Sequence, residues 1–159
     1  MKMCLIAVLA MVVGGLVPAQ SVADSAVATG LEEADQFARA GRVDSALAVY
    51  RALSDSQPDS AVVHARMGGM LLLKQDYAEA IRSFQIAVGL DPDKGAEALV
   101  GLGIAYLHLG QYGPARAALM EARRVKPESA ADLDQVVAWL DGRASAPGDK
   151  QRWAATGGR

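Results

Sequence analysis

The sequence predicts an all-α fold built from repeated antiparallel helix pairs. Three observations carry that expectation. Prolines Pro58, Pro92 and Pro127 recur at spacings of 34 and 35 residues, a period that marks stacked supersecondary units. Hydrophobic residues make up 52% of the 159, but aromatics only 5%. An apolar content dominated by alanine suits close-packed helices better than a sheet, which favours Val, Ile, Tyr and Phe. The stretch "LGIAYLHLGQYGPARAALMEARRVKP", Leu102 to Pro127, shows two apolar helical stripes, a Gly-Gln-Tyr-Gly-Pro turn between them and a closing proline.

Aligning on the prolines brings the remaining positions into register. Phe37, Leu71 and Tyr106 precede them by 21 residues, Ala46, Ala80 and Ala115 by 12, and Tyr50, Phe84 and Leu119 by eight. Val43, Tyr77 and Tyr112 mark the turns. Gly41 and Gly110 can take the left-handed conformation that ends a helix. Asp44, Glu79 and Pro114 stand where a second helix begins and where a negative charge or a fixed φ is favoured. The recurring alanine lets two helix backbones approach, and the large residue four positions later fills the space beside that contact. The proline stops the second helix.

These residues resemble the tetratricopeptide repeat (TPR) pattern, together with small residues at Ala34, Gly68 and Gly103. The resemblance covers roughly residues 27–127 and departs at Gly30 and His64, where the family usually has a large residue. It implies an α-solenoid forming a fragment of a right-handed superhelix, with repeats at about 27–60, 61–94 and 96–129. Thr29 and Glu32 form a capping box that places the first helix start near Gly30, leaving 20–28 as a flexible lead-in. Ser129 reads as the N-cap of a single capping helix over 129–141, with Leu133, Val136, Val137 and Leu140 on one face. Trp139 is expected to pack against the last repeat. Residues 142–159 lack periodicity and read as a disordered tail, in which Arg143, Lys150, Arg152 and Arg159, against Asp149, surround Trp153.

The N-terminus is a separate matter. Lys2 precedes an apolar run from Met3 to Val17, which as a helix would be about 22 Å long against a hydrocarbon core of about 30 Å. Residues 1–19 therefore read as a secretory signal peptide cleaved after Ala19, or after Ala23. The expected location is exported, periplasmic or envelope-associated, with an uncleaved membrane anchor as the alternative. Cys4, the only cysteine, lies ahead of the apolar run, so the mature chain would have no disulfide and would be held by packing alone.

Formal net charge is −2, which gives no global basic field for nucleic acid. No nucleophile–base arrangement, phosphate loop or carboxylate pair stands out. His64 and His108 are 44 residues apart with no acid at ligand spacing, so no catalytic, cofactor or metal residues are expected. His64 reads as a packing residue and His108 as a groove-edge or solvated one. Arg123, Arg124 and Lys126 complement a helix dipole at its C-terminal end.

By the resemblance, the first helix of each pair lines a concave groove. The implied groove residues are Leu31, Asp35 and Arg39; then Val62, Ala65, Arg66, Gly69, Leu72 and Leu73; then Glu97, Val100, Gly101, Ile104, Leu107 and His108. Some relatives grip a peptide's terminal carboxylate with Lys, Arg and Asn at groove positions that here carry Leu31, Asp35, Arg66, Glu97 and Gly101. Only Arg66 could serve, so an apolar peptide or helix is the better expected ligand. Gly69 and Gly101 go beyond what packing requires; they leave room for a ligand backbone or are merely tolerated by short alanine-rich repeats. The expected role is a non-enzymatic protein-binding module, an adaptor or accessory subunit of an envelope assembly. A membrane-tethered subunit and a self-associating scaffold, a homo-oligomer, are the alternatives. Neither a small-molecule substrate nor a cofactor is implied.

Overall fold

The computed structural model describes residues 19–92 and 95–144, and the described residues contain helices and no strand. Seven α-helices follow one another: α1 Ala19–Arg39, α2 Val43–Ser56, α3 Ala61–Leu73, α4 Tyr77–Leu90, α5 Ala96–His108, α6 Tyr112–Val125 and α7 Ala130–Ala144. A 3-10 turn at Pro127–Ser129 leads into α7. Helices α1 and α2, α3 and α4, and α5 and α6 form three antiparallel pairs, and each pair packs on the next.

The three turns inside the pairs close by one mechanism. Arg42 N donates to the Phe37 carbonyl, Asp76 N to that of Leu71, and Gln111 N to that of Tyr106, each at 2.9 Å. This closure requires a left-handed residue just past the helix end. Gly41 has φ 71° and Gly110 φ 69°, as their positions suggest, but the middle turn uses Gln75 at φ 63°. A residue with a Cβ is strained there by about 1–2 kcal/mol.

Packing within the pairs follows from the small residues. A Cβ added to Gly68 would lie 2.8 Å from the Phe84 ring, and one added to Gly103 would lie 2.8 Å from Leu119. In the first pair, Ala34 and Tyr50 occupy the matching positions, both fully buried. The alanines Ala46, Ala80 and Ala115 are fully buried as well, which is the close helix approach their recurrence implies. Helix α7 buries Leu133, Val137 and Leu140 against the last pair. Arg123 pairs with Asp134, and Arg116 with Asp141, pinning α7 to α6 at two points about two turns apart.

The chain ends differ from the sequence reading. Helix α1 begins at Ala19, so the expected flexible lead-in over 20–28 is helical and Thr29 is not its cap. Gly30 instead sits mid-helix, where an added Cβ would lie 2.9 Å from Leu53. The missing side chain makes room for a neighbour and does not start a helix. Helix α7 continues to Ala144, past the expected end at Asp141. The proposed signal segment ahead of Ala19 and the tail beyond Ala144 lie outside the described residues. No helix among the described residues is long and apolar enough to cross a membrane.

Candidate functional site: a hollow between the first helices

Helices α3 and α5 are nearly apolar all round, yet each is covered on one side only, so both leave hydrophobic residues facing outward. Between them lies an open hollow of about 670 Å³. Val62, Ala65, Leu72, Val100 and Ile104 supply its apolar wall, and the small residues Gly69 and Ala98 keep it deep. Val62 is 51% exposed and Ile104 38%, high for such side chains and a sign that nothing within the described residues covers them. A smaller hollow of about 190 Å³ continues past Val100 towards Leu133 and Lys126.

Of the residues implied by the repeat resemblance, Val62, Ala65, Arg66, Gly69, Leu72, Glu97, Val100, Gly101 and Ile104 line this hollow. The others stand elsewhere. Leu31 packs in the core of the first pair. Leu107 is half-buried against the cluster formed by α5, α6 and α7, because α7 closes the side to which it points. Leu73 is 65% exposed at the end of α3 and outside the lining, as is the exposed Arg39 at the end of α1. His108 stacks on the Tyr77 ring, with centroids 4.5 Å apart and planes 4° apart, away from the hollow. Asp35 is not in the lining but acts on it through Arg66, as described next.

The two glycines singled out in the sequence separate here. A Cβ on Gly69 would meet nothing within 4 Å, so its absence simply opens the hollow. A Cβ on Gly101 would lie 2.4 Å from the Phe84 ring. Gly101 is therefore needed for packing, and Phe84 is wedged between α3 and α5.

Electrostatics at the first-pair end rest on three residues. Arg66 Nη1 donates to Asp35 Oδ2 at 2.8 Å, and the buried Tyr50 hydroxyl donates to the other oxygen of that carboxylate. Burial, and next the hydrogen bond to Asp35, push the Tyr50 phenol up to about 12. Asp35 and Arg66 were recognisable as groove positions, but nothing local in the sequence signals their pairing. They are 31 residues apart and meet only because the first helices of successive repeats are neighbours. Tyr50 read only as a packing residue, so its hydroxyl went unnoticed.

The remaining polar candidates are accounted for by packing. His64 is buried and its Nε2 lies 2.9 Å from the Pro58 carbonyl, while Nδ1 has no hydrogen-bond partner among the described residues. That arrangement suits the tautomer with the proton on Nε2. No group of three potential metal ligands exists among the described residues. Trp139 stays half-exposed, its ring edge-to-face with Tyr112 and the Arg143 guanidinium over both rings.

An array of antiparallel helix pairs, each stacked on the next, is an α-solenoid. Two family models described as tetratricopeptide repeat match residues 31–94 and 71–140, and the chain belongs to that family. No curated protein matches it. Solved structures share the fold at low identity. The first TPR of Spaghetti (RPAP3) bound to the HSP90 peptide SRMEEVD is 16% identical, with TM-score 0.71 over 76% of this chain and 94% of that one. The Yersinia enterocolitica type III secretion chaperone SycD, in complex with a peptide of the translocator YopD, is 16% identical, with TM-score 0.72 over 76% and 96%. The TPR2B domain of yeast Sti1 is 20% identical, with TM-score 0.69 over 74% and 97%.

Proposed function

We propose that this protein is a non-enzymatic interaction module that holds an apolar peptide or helix of a partner protein in the hollow between α3 and α5. The observation that carries the reading is the uncovered apolar wall of Val62, Val100 and Ile104 around a glycine-opened floor. Burying apolar side chains against such a wall contributes about 25 cal/mol per Å² removed from water. Peptide complexes of similarly folded proteins, with the HSP90 and YopD peptides, support the same mode of use. Capture of partners from the native envelope, repeated with Ile104→Asp, tests it. Loss of the captured protein by a variant that keeps wild-type helicity supports the reading, and unchanged capture overturns it.

The proposed setting is outside the cytoplasm, as an adaptor or accessory subunit of an envelope assembly. Lys2 and the apolar run after it are the basis. Cleavage after Ala19 would leave α1 almost whole, whereas cleavage after Ala23 would remove its first five residues. Intact mass of native material decides: a start at Gln20 or Asp24 supports export with cleavage, and a retained N-terminus favours a tethered subunit. Self-association through the same hollow is tested by size in solution across concentration.

A further inference from the structure

The hollow carries charge as well as grease, and among the described residues its one lining cation, Arg66, is already engaged. The charged residues in its lining are Arg66, Asp91 and Glu97. Arg66 is 51% exposed at the side chain but paired with Asp35, whose own side chain is 20% exposed. Asp35 is held in turn: one oxygen accepts from Arg66 and the other from the Tyr50 hydroxyl, so the carboxylate is fixed beside the guanidinium. A carboxylate held by donors on both oxygens, 2.8 Å from the guanidinium, offsets the charge of Arg66. At the other end Glu97 is exposed and, among the described residues, forms no ion pair, including none with Lys126, which shares the smaller hollow with it. Among the described residues that line the hollow, the balance left to a ligand is acidic.

We infer that the hollow selects an apolar segment carrying a Lys or Arg beside Glu97 and rejects acidic segments, and that Asp35 sets this preference by neutralising Arg66. The inference rests on the groove reading above and adds the partner's charge to it. Asp35 is a positioning residue here: it acts through Arg66 and need not touch the ligand. The acidic peptide SRMEEVD bound by RPAP3 is the kind of ligand this hollow disfavours, although the two folds superpose. Like-charge contact is a common means of excluding wrong partners.

The test uses the full chain and two amidated, fluorescein-labelled peptides with one Leu/Ala-rich core, one bearing Lys and its twin bearing Glu at the same position. Fluorescence anisotropy at low salt should show the Lys peptide binding about three- to fivefold tighter, the span expected of one exposed charge pair. The preference should fade in 1 M salt, where the screening length is about 3 Å. Asp35→Asn should free Arg66 and narrow or reverse the preference. Glu97→Gln should weaken the Lys peptide and, by removing a like charge, tighten its Glu twin. Tyr50→Phe, which keeps the ring but drops the donor, should fall between wild type and Asp35→Asn. Equal affinities in wild type, with both peptides lost on Ile104→Asp, would overturn the charge inference and leave the groove intact. A tighter Glu peptide would overturn it too. If neither peptide binds at millimolar concentration, the groove reading falls and takes this inference with it.

Discussion

Replacing Gly101 with alanine adds one methyl group inside a helix, where alanine is normally favoured by about 1 kcal/mol. Here the added carbon would lie 2.4 Å from Phe84 Cζ, with the ring's Cε1 and Cε2 at 2.7 and 2.8 Å. The ring cannot easily retreat, because its Cδ1 and Cε1 already lie 2.8 Å from where a Cβ on Gly68 would stand. Overpacking of this kind costs about 1–3 kcal/mol, so the net effect should be a loss of about 1–2 kcal/mol after the helix gain. For a domain near this size that lowers Tm by roughly 3–8 °C. Urea unfolding followed by far-UV circular dichroism measures the difference. A cycle with Phe84→Leu checks the cause, since a smaller side chain should accept the alanine and the two changes should couple by about 1 kcal/mol. A Gly101→Ala protein as stable as wild type, or a cycle additive within about 0.3 kcal/mol, would refute the wedge.

Gly69→Ala is the counterpart: with nothing within 4 Å of the new carbon, stability should rise by about 1 kcal/mol in the same urea assay, while a bound peptide loses the space the glycine leaves. Gln75→Gly removes a strained left-handed side chain and should stabilise by about 0.5–1 kcal/mol, read as a higher Tm. The raised phenol of Tyr50 makes folding depend on alkaline pH. Its folded value lies above the ordinary 10, so its contribution is fully present below pH 10 and is lost as pH rises to about 12. Absorbance titration should show one late tyrosine, absent in Tyr50→Phe.

Much of the fold was legible because each repeat repeats its physical needs. The closing prolines, the left-handed Gly41 and Gly110, and the small residues opposite Phe84 and Leu119 all read directly, since each feature has one local cause. Gln75 escaped because the turn's hydrogen bonds impose the conformation where the residue does not favour it. The start of α1 was misplaced because Thr29 and Glu32 form a valid local capping signal, but no proline or glycine lies between Ala19 and Thr29 to break the helix. Gly101 looked surplus because its register partner Arg66 is large; only the depth reached by Phe84 explains it. Leu107 read as a groove residue by its column, yet the closing helix α7 turns that part of the last pair into core. The Tyr50–Asp35–Arg66 link joins two repeats, and pairing across repeats leaves no mark in linear sequence.

The two first helices that flank the hollow, α3 and α5, are each 13 residues long and so about 20 Å from end to end. An extended guest could lay down about six residues over that distance, and a helical one between three and four turns. Such a short footprint limits how long any one guest stays. Under the proposed role that footprint favours brief grips, and durable attachment would come from several of them acting on one assembly.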